Sequence, residues 1–322
     1  PEGFLTNGQN IVLRDGVIRT RPGLQRIVAT APSTERVMGL IYYKDHTETD
    51  RLIAGTTAGF YVYTGGASWS AITGDALTGG AGNQVCFAVY PFSNTTNLIA
   101  VNDVDAPQTY TSSGNFAVLG GSPPIAKCVC VAFQRVVLGN VTVGGTRRAS
   151  SLWVSGFQSA TSWSSNDEFN LTDTGDSIVA LKALNNQSFA IYKDKSQWVG
   201  IGAGNLFPFI FELRDQQPGP VSPGSVVQVE DSHFYIGQDG DIYKFDGNQC
   251  VSIGTAVKRT IQSDIDWTLT GRVHGFYDMR NREVWWFWPP AGSSTRTSGI
   301  IYRLPSGATP GGFSPLLSYA II

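Results

Sequence analysis

Residues 225–253 read SVVQVEDSHFYIGQDGDIYKFDGNQCVSI, and this pattern is the key to the chain's architecture. It contains four short runs rich in β-branched and aromatic residues, which is typical of strands. The runs are Ser225–Val229, Ser232–Ile236, Asp241–Phe245 and Gln249–Ile253. Asp239-Gly240 lies between the second and third runs, and glycine permits the positive φ that a tight hairpin turn needs. The stretch therefore predicts a small antiparallel sheet of four strands.

The same layout returns about six times along the chain. The apolar runs that open the repeats begin at Val37, Val85, Lys127, Ile178, Ser225 and Arg272. Successive starts are 48, 42, 51, 47 and 47 residues apart, as in the ~40–50-residue repeats of β-propellers. A four-stranded blade cannot bury both of its faces alone, so blades stack around an axis. The sequence predicts one all-β domain over residues 1–322, a β-propeller of about six four-stranded blades with less than roughly 10% helix.

Three places depart from this regular layout. A polar segment, 155–176, interrupts blade 3 and is predicted to hold a long loop, and segment 256–265 lacks turn residues and is predicted to form a short helix. Blade 6 is one strand short before a Gly/Pro segment, 305–315. Because a propeller must close its ring, we expect a strand from a chain end to complete this blade. The candidates are the N-terminal hairpin 11–20 and the apolar tail 316–322.

Composition and charge narrow the possible functions. The 322 residues are 42% hydrophobic and only 15% charged, with 37 glycines and 12 tyrosines, which fits a turn-rich β protein with a sizeable core. The net charge of −2 lacks the basic excess of proteins that grip DNA phosphates. No apolar stretch approaches the ~20 residues of a membrane span, so no span is expected.

Cysteines and histidines give no sign of a metal or cofactor site. Cys128 and Cys130 lie two residues apart on one predicted strand face, and Cys86 and Cys250 are remote from them in sequence. Neither a CxxC spacing nor further ligands for zinc are present, so buried free thiols are expected. The three histidines, His46, His233 and His274, have no partner at metal-ligand spacing and are predicted to be structural.

Two carboxylate pairs, Asp103/Asp105 and Asp239/Asp241, are the candidates for glycosidase-type chemistry. Both pairs lie in turn-like sequence, where Asp hydrogen-bonds its own backbone. We therefore predict that the chain is not an enzyme. Two groups of aromatic residues stand out, 207–211 and 285–288. Successive side chains in each group must point to opposite faces of a strand, and both faces are covered in stacked blades, so core packing is predicted to explain most of them.

A local basic cluster is the remaining candidate site. Arg14, Arg19, Arg21 and Arg26 are accompanied only by the acidic residues Glu2 and Asp15. Arg19 and Arg21 share a strand face because side chains alternate along a strand. This face either meets an acidic partner or nucleic acid, or it is simply solvated. Arg19, Arg21 and Arg26 are the candidate residues for contacts with protein partners.

Several motifs, taken in chain order, resemble one family. They are Asp15–Leu24, Tyr192–Trp198 with its K-x-x-S-x-aromatic pattern, Gly219–Val227 followed by Asp239–Gly247, and Glu283–Pro289. The chain is similar to the tail nozzle or hub proteins of short-tailed phages, which are also described as packaged-DNA-stabilisation proteins. The resemblance covers most of the chain.

That resemblance implies a structural virion protein without catalytic residues or cofactors. Six identical subunits would form a ring in the tail, beneath portal and adaptor proteins and near needle or fibre proteins. Such a ring would be assembled in the host cytoplasm, and DNA would pass through it without specific binding. We expect its lumen to be neutral or acidic, because a conduit that bound phosphates tightly would hold the DNA back.

An alternative function is a propeller-type carbohydrate-binding or adhesion module, since Trp- and Tyr-rich turns can stack on sugars. A lectin would repeat equivalent sugar pockets on successive blades. The repeats here share a layout but no polar pocket motif, so the ring subunit remains the leading hypothesis.

Overall fold

A computed structural model describes residues 11–14, 17–20, 31–66, 68–74, 76–92, 97–204, 207–295, 297–305 and 312–316. Strands account for 51% of the protein and helices for 6%. Six four-stranded antiparallel sheets are arranged as a six-bladed β-propeller. This confirms the predicted fold class and the low helix content.

Each blade is formed by four strands that are consecutive in the chain. A separate hairpin, β1 (Ile11–Arg14) and β2 (Val17–Thr20), precedes them. Blade 1 contains β3 (Val37–Lys44), β4 (Asp50–Thr56), β5 (Phe60–Tyr63) and β6 (Trp69–Ile72). Blade 2 contains β7 (Cys86–Tyr90), β8 (Asn97–Val101), β9 (Gln108–Tyr110) and β10 (Ala117–Val118). Blade 3 contains β11 (Ile125–Ala132), β12 (Arg135–Val143), β13 (Thr146–Ser155) and β14 (Trp163–Asn170).

The second half of the ring has the same plan. Blade 4 contains β15 (Ile178–Ala183), β16 (Ser188–Lys193), β17 (Gln197–Gly202) and β18 (Phe209–Asp215). Blade 5 contains β19 (Val227–Val229), β20 (Ser232–Ile236), β21 (Ile242–Phe245) and β22 (Cys250–Ser252). Blade 6 contains β23 (His274–Asp278), β24 (Glu283–Trp288), β25 (Ser298–Arg303) and β26 (Gly312–Leu316). The helices are α1 (Lys258–Asp264), as predicted within 256–265, and the 3-10 helices Pro223–Ser225 and Trp267–Arg272.

The first strand of each blade lies nearest the axis. Neighbouring first strands contact one another, β3 with β7, β7 with β11, β11 with β15, and β19 with β23. Between successive blades, from blades 1 and 2 through to blades 5 and 6, lie five hydrophobic clusters. Strands in the middle of a blade are covered on both faces, as in β24, where all six residues are buried. The core is therefore a series of layers between the blades.

Polar contacts near the axis link blades that are far apart in sequence. The Gln84 amide donates to the carbonyl of Val273 (3.0 Å) and accepts from the backbone N–H of Gly224 (2.8 Å). Arg272 Nε donates to the carbonyl of Ala81 (3.3 Å). Gln84 precedes blade 2, whereas Gly224 and Val273 precede blades 5 and 6. Because blade 2 lies opposite blade 5 in a ring of six, Gln84 links opposite sides of the propeller.

Blade 6 is completed by a strand that lies largely before the predicted tail 316–322 and shares only Leu316 with it. Its fourth strand is β26, which pairs with β25 from Gly299 opposite Leu316 to Arg303 opposite Gly312. The N-terminal hairpin 11–20 forms its own two-stranded sheet, and the tail residues 317–322 lie outside the described residues. β26 lies largely within the Gly/Pro segment 305–315. Pro315 is compatible with a strand there because β26 is the outer edge strand of its blade, and edge strands tolerate proline.

The long loop predicted over 155–176 is also wrong in part, because β14 occupies its middle. This strand reads WSSNDEFN and is half-buried or exposed along its whole length. It is the outer strand of blade 3, so one edge and much of its surface face water. Such a strand needs no apolar alternation, and the alternation is the signal by which a strand is predicted.

Candidate functional site

The basic cluster is only partly described. Arg19 lies on β2, opposite Val12 of β1. Arg21 and Arg26 lie outside the described residues. Their role as contacts with partner proteins remains a prediction.

His233 is a buried structural residue. Its Nε2 lies 3.0 Å from the carbonyl oxygen of Ala183, and its Nδ1 lies 2.8 Å from the hydroxyl of Tyr192. A carbonyl only accepts, so Nε2 carries the proton and Nδ1 accepts from Tyr192. Burial lowers the pKa of His233 to about 4. The ring is therefore neutral at physiological pH and links blade 5 to blade 4.

The pair Asp239/Asp241 fastens helix α1 to blade 5. Asp239 accepts from the hydroxyl of Tyr243 (3.0 Å) and from the ammonium of Lys258 in α1. Asp241 accepts from the hydroxyl of Ser252 (2.9 Å). Burial alone would raise the pKa of Asp239, but the bonds from Lys258 and Tyr243 and from the Asp241 backbone hold it below its usual value. A glycosidase's general acid needs a raised pKa, so this carboxyl is unsuited to that role.

The pair Asp103/Asp105 is likewise occupied by structural contacts. Asp105 accepts from the backbone N–H of Thr78 (2.8 Å) and from the amide of Asn102 (2.6 Å). Asp103 pairs with Arg147 of blade 3. Burial would raise the pKa of Asp105, yet its hydrogen bonds, chiefly from Thr78, lower it. Asp105 thus binds the segment around Thr78, which precedes blade 2, and Asp103 binds blade 3 through Arg147.

The four cysteines are free thiols, three of them buried and Cys86 half-buried. Burial raises the pKa of Cys86 to about 11 and that of Cys250 to about 12. Reactive cysteines have a lowered pKa, because the thiolate is the nucleophile. Within the described ranges, no group of three or more His, Cys, Asp or Glu side chains is placed to hold a metal ion.

The K-x-x-S-x-aromatic motif at 193–198 forms a buried polar network. The ammonium of Lys193 lies 2.8 Å from a carboxylate oxygen of Asp176. Ser196 donates to the same carboxylate (3.0 Å) and accepts from the indole N–H of Trp198 (3.2 Å). Burial would raise the pKa of Asp176, but the bonds from Lys193, Thr174, Ser196 and the Lys195 backbone lower it. The motif thus ties the β16–β17 hairpin to the connection between blades 3 and 4.

The closing motif around 283–289 packs blade 6 against blade 5. Trp286 and Trp288 lie in the hydrophobic cluster between these blades, and the Trp286 indole donates to the carbonyl of Ser225 (2.8 Å). Trp285 and Phe287 lie on the opposite face of β24 in a separate cluster. Core packing therefore explains this aromatic group, as predicted.

The second aromatic group is an exception to that prediction. Phe209 is buried, but Phe207, Ile210 and Leu213 are 66%, 56% and 40% exposed. All three lie on or beside β18, the outer strand of blade 4, whose free edge has unpaired backbone groups. The other long outer strand in blades 2–5, β14, carries polar side chains instead. Exposed apolar side chains beside a free strand edge are a ready surface for protein contacts. We call Phe207, Ile210 and Leu213 the apolar rim; the same strand also carries the ion pair between Arg214 and Glu212.

A small apolar recess lies between blades 1 and 2, lined by Phe60, Leu77 and Val85 among others. It has no room for a ligand. None of the helices in the described part of the chain has the length and apolar character that a membrane crossing requires.

The architecture defines the chain as a six-bladed β-propeller, a class that hosts many unrelated functions. No model of a known protein family matches the sequence. A comparison with curated proteins gives no match either.

Proposed function

We propose that the chain is a structural, non-catalytic subunit of a short phage tail. In this proposal, identical copies form a hexameric ring that conducts and retains the packaged DNA. Portal and adaptor proteins lie above the ring, and needle or fibre proteins lie nearby. The ordered motif resemblance is the reason for choosing the phage tail among propeller functions.

The apolar rim is the observation that carries this proposal. Phe207 and Ile210 expose more than half of their surface, and exposed apolar side chains that lie together are typical of surfaces that contact other proteins. A closed ring of identical subunits needs a heterologous contact in which one surface meets a different surface of the next copy. The rim supplies one such surface, and we assign it to the contact between neighbouring subunits.

The roles of the family-like motifs also support a structural protein. Lys193, Ser196 and Trp198 bind a connection between blades, Asp239 anchors a helix, and Trp286 joins two blades. Each motif thus stabilises the propeller itself. A family with no catalytic residues is expected to keep such positions for the fold.

The alternative of a carbohydrate-binding module has less support. Of the eight tryptophans, only Trp267 is among the exposed large hydrophobic side chains. Its indole N–H already donates to the carbonyl of Gln262 (3.1 Å). Sugar binding through repeated stacking platforms would need exposed aromatic rings on several blades.

The test is to make phage particles without this protein. We expect such particles to package DNA but to leak it, or to have unfinished tails, and we expect the unaltered protein supplied from a plasmid to restore them. Particles that lack the protein yet keep their genome, complete their tails and infect normally would refute the proposal. Electron microscopy, genome quantification and plaque counts measure the three outcomes.

A further inference from the structure

The hairpin turns at one end of blades 2, 3 and 4 contain no charged residue. Strands 1 and 3 of an antiparallel blade run in the same direction, so the turns that follow them lie on the same face of the propeller. In blades 2–4 these turns are 91–96, 111–116, 133–134, 156–162, 184–187 and 203–208. In blades 1, 5 and 6 the turn after the first strand does contain charged residues, at 45–49, 230–231 and 279–282. We call the described residues of the six uncharged turns the uncharged half-face.

Hydrogen bonds join turns of neighbouring blades into one surface. The hydroxyl of Tyr90, at the end of β7 in blade 2, lies 3.5 Å from the carbonyl oxygen of Gln134 in blade 3. The backbone N–H of Phe133 in the same turn donates to the carbonyl of Asn186 in blade 4 (2.8 Å). The N–H of Gln158 donates to the carbonyl of Gln134 (3.0 Å), which links the two turns of blade 3. These turns are thus fixed relative to one another.

Phenylalanine rings form the apolar part of the uncharged half-face. Phe92 in blade 2 and Phe157 in blade 3 are 38% and 40% exposed. The ring of Phe133 contacts Phe157 and Phe209, with centroid distances of 5.9 and 6.2 Å. Phe207, in the second turn of blade 4, belongs both to this half-face and to the apolar rim. The two apolar surfaces are therefore continuous.

The turn 133–134 keeps an aromatic ring at a position that favours a smaller residue. Phe133 has φ 47° and Gln134 has φ 57°, as a two-residue hairpin requires and as Asn and Gly adopt most easily. A bulky side chain rarely has this conformation, and such strain is found mostly at functional sites. Gly202 leaves space for the ring, because a Cβ there would lie 2.6 Å from a ring carbon of Phe133.

The charged residue beside this turn, Arg135, is hidden beneath the surface. It is buried, its Nη1 donates to the carbonyl of Ser155 (2.8 Å), and its guanidinium carbon lies 5.7 Å from the centre of the Phe157 ring. The turns therefore present aromatic and neutral polar groups to the outside. Depletion of charge together with enrichment of aromatic residues distinguishes the centre of a protein interface.

The apolar rim is too small to hold neighbouring subunits together. Its three large side chains are each roughly half exposed and offer about 300 Å². A stable contact buries about 800 Å² on each partner, so the contact has to extend beyond the rim. The uncharged half-face adjoins the rim at Phe207 and has no charge that would lose its water on burial.

We propose that a second copy of this chain covers the uncharged half-face. The contact between neighbouring subunits then extends from the apolar rim over the turns of blades 2, 3 and 4. This inference rests on the proposed ring and names the surface through which the ring is held.

The test places one positive charge on the uncharged half-face of the full chain. Asn186→Lys does so at an exposed turn residue of blade 4, and Met279→Lys adds the same charge in the first turn of blade 6. Asn186→Lys should raise at least tenfold the concentration at which half of the chains are in rings, and Met279→Lys should leave it unchanged. Phe157→Ala, which adds no charge, should weaken the rings as well. Sedimentation velocity over a dilution series measures this concentration, and circular dichroism checks that every variant is folded.

Hydrogen exchange of the unaltered protein gives an independent readout. The amides of 156–162 and 184–187 should exchange more slowly in rings than in dilute subunits, whereas those of 279–282 should exchange equally. Rings as stable in Asn186→Lys as in the unaltered protein, or equal exchange of the two uncharged turns, would overturn this inference and leave the ring itself in place. Absence of rings from the unaltered protein would overturn the proposed function together with this inference.

Discussion

The ammonium of Lys193 lies 2.8 Å from the carboxylate of Asp176, and their side chains are only 0% and 6% exposed. Lys193 also donates to the carbonyl of Leu171 (2.6 Å) and to the hydroxyl of Thr174 (2.8 Å). The pair therefore has the additional hydrogen bonds that a buried ion pair needs to offset its desolvation. It fixes the connection from blade 3 to blade 4, where the chain returns from the outer edge to the axis.

Removing one partner of this pair should be strongly destabilising. Lys193→Met leaves the Asp176 carboxylate buried without its cation, and we expect a loss of about 3–5 kcal/mol in the free energy of unfolding. The control Lys195→Met, two residues away and exposed, should change it by less than about 0.5 kcal/mol. Urea unfolding measures both values. Equal stabilities for the two variants would show that the pair contributes nothing to folding.

Acid should weaken the junction between blades 4 and 5 through His233. Its pKa is about 4 in the folded protein and about 6.5 in the unfolded chain, so the unfolded chain binds the proton first as pH falls. Stability is therefore full above about pH 6.5 and decreases towards pH 4, by up to about 3 kcal/mol. His233→Gln should reduce the slope of stability against pH in this window, and His46→Gln, at an exposed turn residue, should retain it. Identical slopes in both variants would contradict this assignment.

The polar bridge that Gln84 makes to Gly224 and Val273 should contribute to stability. Gln84→Met removes the acceptor of the Gly224 N–H and one of two donors to the Val273 carbonyl, the other being the Ser222 hydroxyl. We expect a loss of about 1–3 kcal/mol in the free energy of unfolding. Gln228→Met is the matched control, because Gln228 lies on a first strand but is exposed. Thermal unfolding of both variants measures the difference. If Gln84→Met were as stable as Gln228→Met, the bridge would have no energetic role.

A charge placed on the apolar rim should prevent assembly without unfolding the subunit. Ile210→Lys adds an ammonium to each copy of the proposed contact. The control is Met279→Lys, which adds the same charge on blade 6, at a side chain that is 78% exposed. We expect the first variant to lose the ring and the second to keep it, with unchanged circular dichroism in both. Sedimentation velocity separates the two species. Rings of equal stability in both variants would exclude β18 from the contact.

The propeller follows from local sequence, because apolar alternation and glycine turns act within each blade. At Asp239-Gly240 the hairpin occurs as predicted, with Gly240 at φ 75°. The sequence does not predict the outer strands β14 and β26. A solvent-facing edge strand needs no alternation of apolar and polar side chains, and it tolerates proline. Exposure of Ile210 was missed for a related reason, since an apolar strand residue has the same sequence signature whether a neighbouring blade or another subunit covers it.

The polar networks could not be predicted from local sequence, because their members are brought together only by the folded chain. Lys193 and Asp176 are recognisable as charged residues, but their pairing depends on the return of the chain between blades 3 and 4. Gln84 has no local signal at all, since its partners Gly224 and Val273 are more than a hundred residues away in sequence.

The central claim, that this chain is a ring-forming structural subunit, is tested most directly by native mass spectrometry of the purified protein at physiological salt. The predicted result is a single closed species containing six copies of the 34.7 kDa chain. A protein that remains monomeric at every concentration tested would contradict the account.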